Sequence, residues 1–95
     1  MENDVTFTFR VHAVLRMAER CLNRKDIESA IRAGEVIERY DGDLPFPSRL
    51  FLSTANARPL HVVAAWNEVS REWIVITAYE PSIERWYPDY KRRRP

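Results

Sequence analysis

Ninety-five residues are enough for one hydrophobic core and too few for a core plus a second module, so the chain reads as one domain, residues 1–95. With 45% hydrophobic and 31% charged residues, a wholly disordered chain is excluded. Fifteen Lys and Arg against 14 Asp and Glu give a net charge of +1, but four of those cations are Lys91, Arg92, Arg93 and Arg94, so the body is acidic and a polyanion must bind a local patch.

Cys21 is the single cysteine and cannot form an internal disulfide. No charged-then-apolar leader and no long apolar run is seen, which points to a cytoplasmic protein with no membrane association.

Met1 to Asp4 reads as loose, and the alternation of Val5-Thr6-Phe7-Thr8-Phe9 suits a short extra strand or an extended lead-in. From Arg10 onward, Val11, Val14, Leu15, Ala18, Cys21 and Leu22 recur at helical spacing, predicting a helix that buries this stripe. Asn23 or Asp26 caps a second helix with Ile27, Ala30 and Ile31 inward, and Gly34 ends it.

Glu35 to Tyr40 has strand character, Asp41 to Ser48 is too rich in turn residues to continue a ladder, and Arg49 to Ser53 is the next strand. Thr54 to Arg58 turns into a central hairpin. Its strands are Leu60 to Trp66 and Trp73 to Tyr79, apolar and β-branched runs without Gly or Pro. The period of two puts Leu60, Val62 and Ala64 on one face and His61 on the other; if Ile74, Ile76 and Ala78 join the first set, Thr77 and Tyr79 emerge beside His61. Ile83, Trp86, Tyr87 and Tyr90 would cover a sheet edge, the folded core would end near residue 88, and residues 91–95 read as a basic tail.

The expected architecture is therefore α+β: two N-terminal helices on one face of a four-stranded, mainly antiparallel sheet, with the N-terminal strand as an extra.

Chemistry is sparse. The chain has two Gly and no glycine-rich phosphate loop, no Cys pair and no His ligand spacing, so no metal or cofactor is expected. Asp41-Gly42-Asp43 lacks the other ligands of a calcium loop and reads as a solvated turn. His12, Arg16 and Arg20 share a helix and form either an anion site or a solvated basic flank. His61, in mid-strand, is either a satisfied half-buried histidine or a site residue, with the Thr77 and Tyr79 hydroxyls on its face. Cys21 continues the apolar stripe and reads as a core thiol. Trp66, Trp73 and Trp86 read as core and edge cover.

The combination of His12 to Arg20, Asp26-Ile27, Gly34 to Ile37, Tyr40, Arg58 to Val63, Ile76 to Pro81 and Trp86 resembles the family known as domain of unknown function 4258. That family is similar to the small toxin-like ribonucleases of the barnase and RelE type, whose paired helices pack on an antiparallel sheet; members are often encoded beside small zinc-ribbon or helix-turn-helix partners, which suggests toxin and antitoxin pairs. The resemblance implies metal-independent RNA cleavage by general acid–base catalysis, with a cognate antitoxin-like protein as partner. It matches His61 and His12 to the base and acid in either order, Arg16 and Arg20 to RNA phosphate binding, and Tyr79 to positioning. A non-catalytic protein-binding module on the same fold is the alternative.

Overall fold

The computed structural model describes residues 5–55 and 58–95. The expected loose N-terminus and the Asn56-Ala57 part of the turn before the central hairpin lie outside the described residues. The elements run β1 (Thr6–Phe9), α1 (Val11–Glu19), α2 (Arg24–Ala33), β2 (Glu35–Tyr40), β3 (Ser48–Ser53), β4 (Leu60–Asn67) and β5 (Glu72–Tyr79). No helix among the described residues is long and apolar enough to cross a membrane.

The fold is α+β with one five-stranded mixed sheet, in the order β1-β5-β4-β3-β2. The four expected strands are joined by the N-terminal extra, β1, which makes the sheet mixed: β1 pairs in parallel with β5 from Thr6↔Glu72 to Phe9↔Val75, while the other neighbours are antiparallel. Because β1 and β2 occupy opposite edges, the helix pair between them must cross the sheet. Both helices thereby cover the same face.

α1 buries Ala13 and Met17, not the stripe predicted from its spacing; Val11 is 76% and Leu15 56% exposed, and Val14 is exposed as well. The chain has apolar residues on two sides of this helix, and the smaller Ala13 lets it sit close to β5. At its end, Leu22 N–H donates to the Met17 carbonyl at 2.9 Å and Cys21 adopts the left-handed conformation, φ 56°. This arrangement closes the free carbonyls of a helix end. Cys21 is consequently exposed rather than a core thiol.

Asn23 caps α2 by accepting from Asp26 N–H at 2.8 Å. Gly34 ends it for a reason of space, since a methyl group there would lie 2.3 Å from the Ala30 carbonyl oxygen and 2.8 Å from that of Leu52.

Ile27, Ala30 and Ile31 of α2 meet Phe51, Leu60, Val62, Ala64, Val75 and Ala78 in the core between helices and sheet. A bulge in β5 shifts the register between Val63↔Thr77 and Ala64↔Val75, leaving Ile76 as the extra residue. It reverses the side-chain phase along the strand. Trp73 and Val75 therefore join the core with Ala78, whereas the alternation read from sequence had set them apart from it. A second bulge at Ile37 puts Val36 with the core and Glu38 on the far face.

The far face is covered too. Residues 82–94 fold back across it rather than capping an edge, with Trp86 buried and bridged to Arg93. Arg94 N–H donates to the Arg85 carbonyl at 2.8 Å and Tyr87 N–H to that of Arg92 at 2.9 Å. Arg93 forms two 3.0 Å hydrogen bonds with the Glu38 carboxylate, and Lys91 pairs with Glu35 at 3.0 Å. The sequence that read as a basic tail is thus the returning arm of a small C-terminal hairpin, joined by a single bridge and held by the acidic β2.

Candidate functional site

His61 stands on the far face of β4 directly opposite Tyr79 of β5, the juxtaposition that the strand alternation implies. Its side chain is fully enclosed, 0% exposed. The Trp86 ring meets it edge-on at 4.4 Å between centroids, and the Tyr79 ring at 5.2 Å. Nε2 lies 2.7 Å from the Tyr90 carbonyl oxygen. A carbonyl only accepts, so Nε2 carries the proton. Nδ1 then offers a lone pair to the Tyr79 hydroxyl, 3.2 Å away, which donates. Enclosure lowers the imidazole pKa, opposed by its bond to Tyr90, and holds the ring neutral. Burial also raises the Tyr79 pKa, keeping the phenol protonated.

Tyr79 faces a cleft of about 480 Å³ lined by Arg20, Tyr79, Glu80, Ser82, Arg85, Trp86 and Arg93. Three guanidinium groups therefore meet one carboxylate, and that carboxylate, Glu80, is paired with Arg58. β1 ends opposite Val75, leaving the outer edge of β5 open beyond it. Arg20, at the end of α1, uses that opening and donates Nη1 to the Ala78 carbonyl at 2.8 Å. Arg93 is fixed by Glu38 and lies over Trp86, 4.6 Å from its ring centroid. Arg85 is exposed, and its side chain has no hydrogen-bond or ion-pair partner among the described residues.

Behind the cleft, Tyr40 donates its hydroxyl to Glu38. Burial, reinforced by that carboxylate, pushes the Tyr40 pKa up to about 12, and the Arg93 contact holds the Glu38 carboxyl below its usual range.

Of the residues singled out from sequence, His61, Tyr79 and Arg20 come together here. Arg16 instead pairs with Glu19 at 2.6 Å, and His12 is exposed on α1 in the helix layer, across the sheet from His61. Thr77 shares the far face with Tyr79 by register. Arg85, Arg93 and Tyr90 were not identified as site residues, because the hairpin that carries them read as edge cover and tail. The complementary charge of β2 and residues 91–94 was the available signal. Two other depressions, of about 360 and 390 Å³, are lined by neither His nor Tyr. No group of three or more His, Cys, Asp or Glu among the described residues is placed to hold a metal ion.

Residues 9–80 match the family described as Domain of unknown function (DUF4258). The chain belongs to the DUF4258 family. Its matched part runs from the end of β1 to the residue after Tyr79, so it contains His61, Tyr79 and Arg20 and excludes the C-terminal hairpin. No curated protein and no solved structure matches the chain.

Proposed function

We propose that this DUF4258 protein is a toxin-like, metal-independent endoribonuclease of the RelE and barnase type, acting in the cleft of Arg20, Tyr79 and Arg85 and controlled by a partner protein. One observation carries the proposal: a phenol at a cationic cleft is hydrogen-bonded from behind to an enclosed neutral imidazole. Such a pair can accept a proton from the cleft although the imidazole itself is out of reach.

Tyr79 oxygen takes the proton of a ribose 2′-hydroxyl as its own proton passes to His61 Nδ1, and the 2′-oxygen attacks the adjacent phosphorus. The bond from phosphorus to the 5′-oxygen breaks, leaving a 2′,3′-cyclic phosphate. The proton held by His61 returns through Tyr79 to the departing oxygen. Arg20 and Arg85 stabilise the doubly charged phosphorane, a role suited to a planar guanidinium fork. His61 is then a positioning and proton-holding residue that works through Tyr79, and His12 has no part at this cleft.

The test is incubation of purified protein with mixed RNA in chelator, alone and with ribosomes, beside Tyr79→Phe. Cyclic phosphate ends formed by the wild type and lost in the variant are the expected result; intact RNA with folded wild-type protein in both settings overturns the proposal.

A second reading, a non-catalytic protein-binding module, draws on the outward stripe Val11, Val14 and Leu15 of α1. Three apolar side chains at this spacing suit an apolar partner face. The same stripe is where we place the controlling partner of the nuclease.

A further inference from the structure

We propose that the C-terminal hairpin, residues 82–94, is a binding surface for the phosphates of single-stranded RNA, extending the cleft along the strand. This rests on the RNA-directed reading of the cleft but not on cleavage.

The hairpin is preformed. Its two arms are joined by the Arg94-to-Arg85 and Tyr87-to-Arg92 backbone bonds, its turn by Tyr90 N–H donating to the Tyr87 carbonyl at 2.8 Å, and its base by Trp86 packed on His61. Little ordering entropy would thus be lost on binding.

Its outer cations are unequal. Lys91 and Arg93 are engaged by Glu35 and Glu38 of β2 and serve to hold the hairpin down. Arg92 and Arg94 instead lie over the Tyr87 ring, 4.8 and 5.0 Å from its centroid. Among the described residues Arg94 is tied through Nε alone, to the carbonyls of Ile83 at 2.6 Å and Trp86 at 3.0 Å, so its two terminal nitrogens can pair with a phosphate. Arg92 meets Asp89 at 3.0 Å with its side chain 70% exposed. Arg85 links the two regions, since it lines the cleft and its carbonyl accepts from Arg94.

A line of guanidinium groups from Arg20 through Arg85 to Arg94 and Arg92, backed by an aromatic ring, fits a flexible phosphate backbone with bases free to stack. Ile83 is the one large exposed hydrophobic residue of the hairpin, too little to anchor in a lipid bilayer. A single strand is favoured over a duplex because only a flexible backbone can bend from the cleft along the cations of the hairpin.

The test is fluorescence anisotropy with a labelled single strand of mixed sequence carrying 2′-O-methyl groups, which cannot be cleaved by this route, titrated between about 50 and 200 mM salt. Arg92→Gln/Arg94→Gln is expected to weaken binding roughly tenfold and to flatten the salt slope by about 1.4, that is about 0.7 for each of two phosphates no longer neutralised. Arg85→Ala, whose side chain has no partner to lose among the described residues, is expected to weaken binding without a change in melting temperature and guards against misfolding of the double variant. Wild-type affinity in both variants overturns the proposal. Equal competition by duplex RNA or dextran sulfate overturns it as well, as does preference for an acidic peptide or for anionic vesicles. Failure of RNA cleavage leaves these binding results decisive, because the probe is not a substrate.

Discussion

The carbonyl of Tyr90 accepts the Nε2 proton of His61 at 2.7 Å, and Tyr90 delivers it from a left-handed backbone conformation, φ 59°. A non-glycine residue is rarely held there without compensation. The compensation is a buried donor satisfied, and with it the hairpin is fixed to the centre of the sheet.

Stability should therefore depend on pH through His61. Its folded pKa is depressed by enclosure, below the ordinary 6.5, so between the two values the unfolded chain binds more protons. Stability is full above about 6.5 and falls as pH drops toward the folded pKa. Glu38 acts in a lower window: its folded pKa is also depressed, and its contribution declines only below 4.5. Thermal melts from neutral pH to pH 5 should show a falling midpoint in the wild type and a flatter profile in His61→Gln; parallel profiles would contradict this account.

Cys21 and Arg71 also hold left-handed backbone, φ 56° and 55°, and at Cys21 a substitution can relieve it. Cys21→Gly keeps the helix-closing bonds of Leu22 and removes the Cβ clash, which is worth about 0.5 to 1 kcal/mol after the extra entropy of glycine in the unfolded chain. The melting midpoint should rise by a few degrees. Cys21→Ala retains the Cβ and should give no such gain, so an equal rise in both variants would assign the effect to the lost thiol.

How far the sequence could be read follows from these same residues. Strand alternation was enough to bring His61 and Tyr79 together, because their strands pair in register on that side of the bulge at Ile76. On the other side of the bulge the same rule failed, since a single inserted residue reverses the phase and no residue type marks it. α1 failed differently: Ala13 with Met17 and Val11 with Val14 and Leu15 form two apolar sides, and only the tertiary fold selects one. The role of Arg93 was hidden because its partner Glu38 lies 55 residues earlier. Arg20 was legible as a cation on a helix, but its position in the cleft depends on the open end of β5.

Gly34→Ala should be destabilising although the Gly34 φ of −76° suits any residue. The added methyl would meet two backbone oxygens, and neither the end of α2 nor β3 can withdraw as a side chain would. Overpacking of this kind costs about 1 to 3 kcal/mol. Chemical denaturation should show a lower midpoint with an unchanged slope; wild-type stability would mean that the helix end moves freely from β3.

The proposed nuclease separates cleft residues from their sequence neighbours. Tyr79→Phe removes the hydroxyl that links His61 to the cleft, so cleavage should fall by roughly 10² to 10⁴, the usual worth of a positioned acid or base. Arg85→Ala and Arg20→Ala should cost about 10² to 10³ each, as expected for loss of a group that stabilises developing charge. Arg20→Ala also loses the bond to Ala78, so a melt must accompany it, whereas Arg85 has no such partner among the described residues and gives the cleaner result. Arg16→Ala and His12→Ala should cut RNA at close to the wild-type rate, because Arg16 pairs with Glu19 and His12 points outward from the helix layer. Matched rates for all five variants would remove the cleft from the chemistry. Loss confined to His12→Ala and Arg16→Ala would move the site to the outer side of α1.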